Sequence, residues 1–396
     1  MIKTITDGPI HDREHFLDTR PLTRKEVEAA LDQVVCQTKA NLGYLQGKFP
    51  YSAAENGVYP ITENVEWTTG FWTGILWLVY EHTGDEAIKE AALKHVDLFL
   101  ERVEKRIDVD HHDLGFLYTP SCVSCYKLTG NETAKKAALK AADVLMERFR
   151  EKPGFFQAWG QLGKKEDHRL IIDCMLNIPL LYWASDITGD PRYKDAATRH
   201  FITSCNHVIR EDASAYHTFY FDPETGAPLH GATRQGYSDT SAWARGQAWG
   251  IYGIALNYRH TRMNEAFPLY RGMTNYFLDR LPADDVCYWD LIFSDGSGQP
   301  RDTSAAAIAV CGMDEMDRWL PEDDPDKILY RRAAHRILRS LIQDHANKAH
   351  QPGQAMLLHG VYSWHSGKGV DVGNIWGDYF YTEALTRFLK AWDPYW

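Results

Sequence analysis

One short device recurs along the chain and constrains its fold more than any other feature: a helix ended by Thr-Gly and restarted at once by Asp or Asn. It stands at Thr83-Gly84-Asp85, Thr129-Gly130-Asn131 and Thr188-Gly189-Asp190. Glycine tolerates the left-handed conformation that closes one helix, and the Asp or Asn side chain caps the next. On both sides the apolar residues keep 3.6-type spacing, as in "GFWTGILWLVYEHTGDEAIKEAALKHVDLFLERV". Later segments keep the alternation without the turn: "SAWARGQAWGIYGIALNYRH" precedes "EAFPLYRGMTNYFLDRL", and "TSAAAIAVCGMDEMDRW" precedes "DKILYRRAAHRILRSLIQDH".

Roughly twelve helices result. Those near 69–83, 117–129, 174–188, 241–260, 303–315 and 376–392 are rich in Gly, Ala and aromatics and poor in charge. Their alternates, near 23–46, 85–106, 131–149, 190–210, 264–281 and 326–346, carry Lys, Glu and Arg along one face. Helices apolar all round lie inside and amphipathic ones outside. The pattern predicts an all-α, single-domain (α/α)6 barrel, a six-hairpin toroid over 23–396 behind an N-terminal extension, 1–22. An open helical solenoid fits less well, because the repeats vary in length and long irregular loops precede the inner helices.

In a closed toroid all inner helices start at one end. The segments "NVEWTTGF", "DHHDLGF", "HRLIID", "RQGYSDTSAW", "GQPRDTSA" and "DVGNIWGDY" would then share one mouth. Helix N-termini there favour an anion. The formal net charge of −11 argues against a nucleic-acid partner, and no apolar run reaches the eighteen residues a membrane span needs. The N-terminal stretch has no apolar signal-like core, and the seven scattered cysteines suit a reducing cytosol. "CVSC" at 122–125 reads as two core cysteines at helical spacing, without the second pair a zinc site needs. The 13 Trp, 21 Tyr and 16 Phe exceed what a core alone asks for and suit a cleft that stacks on sugar rings.

Asp113 and Asp173 would face each other at the mouth. Taken locally, Asp173 is as good a helix N-cap as a catalytic acid, whereas Asp113 fits a cap less well. "DHHD" (Asp110 to Asp113) has metal-capable groups but not metal-ligand spacing. Trp67 is a core or a stacking residue. Arg245 and Gln247 need polar partners inside an apolar helix, and a carboxylate ligand would supply one for Arg245. His217, a lone histidine, reads as structural first. Ser363, Ser366 and Lys368, in "YSWHSGKGVD", form a polar turn or an oxyanion cradle.

Six segments in order, "EWTTGFWTG", "HHDLGF", "IIDCMLNIPLLYWAS", "YSDTSAWARGQAW", "RDTSAAAIA" and "WGDYFYTEAL", span essentially the whole chain. In them the chain resembles the bacterial unsaturated glucuronyl hydrolases, (α/α)6-barrel glycosidases that act downstream of polysaccharide lyases. The resemblance implies Asp173 as acid/base, with Asp113 and His112 on the sugar hydroxyls. It implies Trp67 and Trp249 as aromatic walls, and His217, Gln235 and Arg245 as contacts to the unsaturated uronate. Ser363, Ser366 and Lys368, with Arg234, resemble the sulfate-recognising element of streptococcal members, which implies chondroitin- or hyaluronan-derived disaccharides, sulfated ones included. No metal and no cofactor are implied. The chemistry would be hydration of the C4=C5 bond, and Asp173 would have to be largely protonated, kept so by burial and a charged Asp113. The readings set against this are a glycosidase on a saturated glycan using the Asp pair, a sugar epimerase with histidine bases, and a noncatalytic glycan-binding toroid.

Overall fold

The computed structural model describes residues 1–5 and 8–396. Six inner helical segments form a closed ring, each touching the next, and Ile375–Leu389 returns to touch Thr69–Thr83. That contact rules out the open solenoid. Outside lie Arg24–Leu45, Glu86–Glu104, Glu132–Met146, Pro191–His207, Ala266–Leu278 and Lys327–Ser340, each packed on an inner neighbour.

The three Thr-Gly turns have the expected geometry. Gly84, Gly130 and Gly189 have φ of 67°, 69° and 74°. The side chains of Asp85, Asn131 and Asp190 accept from the backbone N–H of Ala87, Ala134 and Arg192. The inner helices are buried around their whole circumference: every residue from Thr69 to Val79 and from Ala244 to Tyr258 lies in the interior. One hydrophobic cluster runs from Ile2 to Trp396, and Ile2, Ile5, Ile10, Phe16 and Leu22 join it from the first 22 residues.

Three inner segments differ from the sequence pattern. The second begins at Leu114 rather than near 117, and a π-turn at Thr119–Val123 interrupts it. Pro120 cannot donate a backbone hydrogen bond, and the wider turn absorbs the missing donor. The third is broken in two, Cys174–Asn177 and Pro179–Thr188, again at a proline. The fourth starts at Ala244 because Trp243 pairs as a β-bridge with Asp290.

Among the described residues four small antiparallel sheets decorate the ring, and they were not legible in the sequence. Two carry site residues: Arg169–Ile171 with Thr218–Phe221 and Pro228–Ala232, and the hairpin Gly360–Ser363 with Lys368–Val372. No helix among the described residues is long and apolar enough to cross a membrane. All seven cysteines are free; Cys122 and Cys125 are buried, as core residues should be.

Candidate active site

The loops before the inner helices meet around a pocket of about 410 Å³. Trp67, Trp159, Trp243, Trp249 and Tyr362 give it aromatic walls. Asp113 and Asp173 lie in it with Glu66, facing the cations Arg169, Arg234, Arg245 and Lys368.

Each acid precedes a helix, Leu114–Tyr118 and Cys174–Asn177, yet neither side chain makes a capping hydrogen bond. The capping reading of Asp173 therefore fails. Instead the two carboxyls converge on His112, whose Nε2 is 3.4 Å from Asp113 Oδ1 and 3.4 Å from Asp173 Oδ1. Asn177 sits between the two turns, donating to Asp113 Oδ1 at 3.4 Å and to the Asp173 carbonyl at 3.4 Å. His111 is a pin rather than a ligand: its Nδ1 accepts from the Asp113 N–H at 3.0 Å, and its ring stacks on Trp159 at 4.3 Å.

The two turns approach this closely because residue 115 is glycine. A Cβ there would meet the Asn177 backbone at 2.2 Å. Gly115→Ala is thus expected to push the Asp113 turn from the Asp173 turn, lowering the melting temperature and cutting kcat at least about tenfold, since a displacement near 1 Å costs up to about a hundredfold. Steady-state kinetics with a melting curve check both.

Burial raises both acids. The Asp173 carboxyl is pushed up to about 7 by burial, against the pull of Arg245 and nearby backbone N–H groups. Asp113 is held well above the ordinary carboxylate range by burial and by repulsion from Asp173. Two buried acids this close titrate as a pair that retains a proton near neutrality. His112 is deeply buried, pushed far below its usual value and so neutral, and neither ring nitrogen has a hydrogen-bond partner. Ligand atoms of His112, Asp113 and Asp173 all lie within 4.8 Å of one another, so among the described residues this trio is the set that could hold a divalent ion.

His217 accepts backbone N–H groups of Arg234 (2.9 Å) and Gln235 (3.2 Å) on Nδ1. Its proton must then sit on Nε2, a donor in the pocket wall. Burial and three arginines keep the ring neutral.

Arg245 differs from the sequence expectation. Its buried charge is already partnered: Nη1 donates to Asp302 Oδ2 at 2.8 Å, and Nη2 to Gln235 Oε1 at 2.6 Å and to the Tyr362 carbonyl at 2.8 Å. No external carboxylate is needed to make it tolerable. Gln247 lies outside the pocket lining and ties the Ala213, Ala215 and Met273 backbones together.

Trp67 and Trp249 both line the pocket; Trp67 stacks on Trp376 and donates Nε1–H to Tyr362 Oη at 2.8 Å. Of the hairpin residues, Lys368 lines the pocket, with its ammonium over the rings of Tyr51 and Tyr362. Ser363 and Ser366 are not among the lining residues; Ser366 Oγ donates to the Ser363 carbonyl at 3.4 Å. Sequence reasoning missed Trp159, Arg169 and Asp302. The only signals were a Trp-Gly pair in a polar loop ("QAWGQLG") and single charges flanking apolar runs ("HRLIID", "RDTSAAA").

A closed (α/α)6 ring with a paired-carboxyl pocket walled by aromatic rings defines a carbohydrate-active barrel enzyme. The sequence places it more narrowly: the model of Glycosyl Hydrolase Family 88 matches residues 44–388, and the chain belongs to that family. It is 60% identical to the unsaturated chondroitin disaccharide hydrolase of Streptococcus pneumoniae over 396 residues, covering 100% of both chains. The crystal structure of unsaturated glucuronyl hydrolase from Streptococcus agalactiae superposes with a TM-score of 0.99 at 57% identity, covering 100% of both chains. A variant of that enzyme complexed with dGlcA-GalNAc6S superposes with a TM-score of 0.91 at 54% identity, again over the whole of both chains.

Proposed function

We propose that the protein hydrates the C4=C5 double bond of the nonreducing unsaturated glucuronic acid in chondroitin-type disaccharides left by a polysaccharide lyase. The observation that carries this is the buried Asp113–His112–Asp173 cluster, with an Asp173 carboxyl pushed up to about 7 on an aromatic-walled, cation-lined pocket. The family and the 60% identity to an unsaturated chondroitin disaccharide hydrolase support the substrate class. The free cysteines fit a cytosolic setting.

The C4=C5 bond and the ring oxygen form a vinyl ether, nucleophilic at C4. Protonated Asp173 delivers its proton to C4, leaving oxocarbenium character at C5. The Asp173 carboxylate then takes a proton from the water that attacks C5. The resulting hemiketal opens and the glycosidic link breaks by rearrangement. Asp113 receives sugar hydroxyls, and burial keeps the proton on Asp173. Trp67 and Trp249 present apolar faces to the sugar, and His112, His217 and Gln235 supply polar contacts. Lys368 and Arg234 meet an anionic substituent, with Ser363 and Ser366 on the same hairpin as Lys368. The spacing rule for retaining and inverting glycosidases does not apply, because the anomeric carbon is not attacked.

The test is optical. Purified protein given an unsaturated chondroitin disaccharide should remove the ultraviolet absorbance of the C4=C5 bond and release free amino sugar. A saturated glycan cleaved with that absorbance untouched would replace this reading with an ordinary glycosidase.

A further inference from the structure

We infer that Arg169 is a specificity residue of this pocket, receiving an oxyanion of the disaccharide, carboxylate or sulfate, on its guanidinium. The inference rests on the function proposed above and concerns which residue meets the substrate's charge.

Arg169 opens the three-residue strand that leads to Asp173, and its cross-strand partner is Tyr220. Its guanidinium lies 5.8 Å from the Tyr220 ring, while Tyr220 Oη accepts from Arg234 Nη2 at 3.4 Å. Two guanidinium groups therefore flank one tyrosine on the sheet that walls the pocket. Arg169 is only 7% exposed, yet it lines the cavity.

Its bonding is incomplete. Nη1 makes both of its hydrogen bonds, to the Glu166 carbonyl at 3.2 Å and to Asp167 Oδ1 at 3.4 Å. Asp167 is itself committed elsewhere, accepting from the Gln161 N–H at 3.0 Å. Nε is buried and has no partner. A buried charged donor without an acceptor is costly unless a ligand supplies the acceptor. The Nε–H and Nη2–H of a guanidinium together form the fork that a carboxylate or sulfate fills with two oxygens, and both bonds of Arg169 use Nη1 instead.

Arg245 shows the contrast. Both its Nη atoms are already taken by Asp302, Gln235 and two carbonyls, so it offers little to an incoming anion. Lying four residues before Asp173, Arg169 would hold one end of the disaccharide against the wall that carries the acid. Two substrate groups have the required chemistry, the carboxylate of the uronate and a sulfate on the amino sugar.

The experiment compares wild type, Arg169→Met and Arg169→Lys on unsulfated and 6-O-sulfated unsaturated chondroitin disaccharides. It reads KM and kcat from ultraviolet loss, and disaccharide binding by calorimetry in an Asp173→Asn background. Arg169→Met should raise KM about tenfold to a hundredfold, the loss of a charge-assisted hydrogen bond, with kcat changed less than about threefold. Arg169→Lys, which keeps the charge without the fork, should recover part of that loss; if the Met variant does not fold, a KM rise of at least about threefold in the Lys variant carries the test. An equal rise on both substrates assigns the carboxylate, and a rise on the sulfated one alone assigns the sulfate. KM within about twofold of wild type on both substrates overturns the inference, as does a loss confined to kcat and melting temperature with binding unchanged. Wild type that consumes neither disaccharide would count against the proposed function instead.

Discussion

Asp173→Asn is expected to lower kcat by roughly three to four orders of magnitude while leaving disaccharide binding within a few-fold of wild type. The amide keeps the shape of the carboxyl and removes the proton that the proposed mechanism delivers to C4. The variant should also be the more stable protein at neutral pH. A folded-state value pushed up to about 7 means that the folded enzyme binds more protons than the unfolded chain between about pH 4 and 7. Stability from this group is therefore lost as pH rises across that window. The asparagine variant lacks this slope, so its advantage should grow from pH 4 and level off above 7. At 1.36 kcal/mol per pKa unit the Asp173 share of the plateau is at most roughly 4 kcal/mol. It is an upper bound because Asp173 keeps 17% of its side-chain surface open to the pocket, where solvent eases the charge. Urea unfolding of both proteins at pH 5 and 8 measures this; a constant difference would mean that Asp173 is not held protonated. Activity of the wild type should decline above about pH 7 as the acid loses its proton, provided Asp173 is the donor.

Arg387→Met should destabilise the fold by about 3–5 kcal/mol, the consequence of leaving buried carboxylates unpaired. Arg387 is fully buried where Ala244–Thr261, Thr303–Asp317 and Ile375–Leu389 meet. Nε donates to Glu383 at 2.9 Å, Nη1 to Glu315 at 3.0 Å and to Asp314 at 3.2 Å, and Nη2 to Tyr252 Oη at 2.6 Å. Glu383 also accepts Trp396 Nε1–H at 2.8 Å, which ties the last residue into the same knot. Trp396 packs edge-on to Phe116, and Phe116 touches both Trp67 and Trp249, so this knot supports the pocket wall from behind. None of the ionic residues lines the pocket. The expected result is a lower urea midpoint with kcat of the folded enzyme within about twofold of wild type. An unchanged midpoint would show that the network adds no net stability.

Twelve helices, their inner and outer assignment and their common mouth follow from apolar periodicity and charge placement, which are local properties. The Thr-Gly turns mark three of the hairpin corners because glycine and Asp or Asn are the residues whose backbone and side chain suit a helix end and a helix start. The small sheets escaped, since strands of two to five residues carry too little alternation to register. Arg245 shows the same limit: its partner Asp302 is 57 positions away on another loop, and nothing near residue 245 announces it. Trp159 and Arg169 sit in a polar loop and a three-residue strand, where composition carries no sign of a pocket.

Sequence by itself determined the alternation of buried and amphipathic helices, and hence that a ring with loops at one end could close. It also placed two acids ahead of two inner segments without deciding between cap, metal ligand and proton donor. Only the closed tertiary structure removed the cap and raised Asp173's hold on its proton, because a carboxyl's affinity for its proton depends on desolvation and neighbouring charge. Ring closure and the glycine at 115 bring the Asp113 and Asp173 turns together around a neutral His112, away from bulk water.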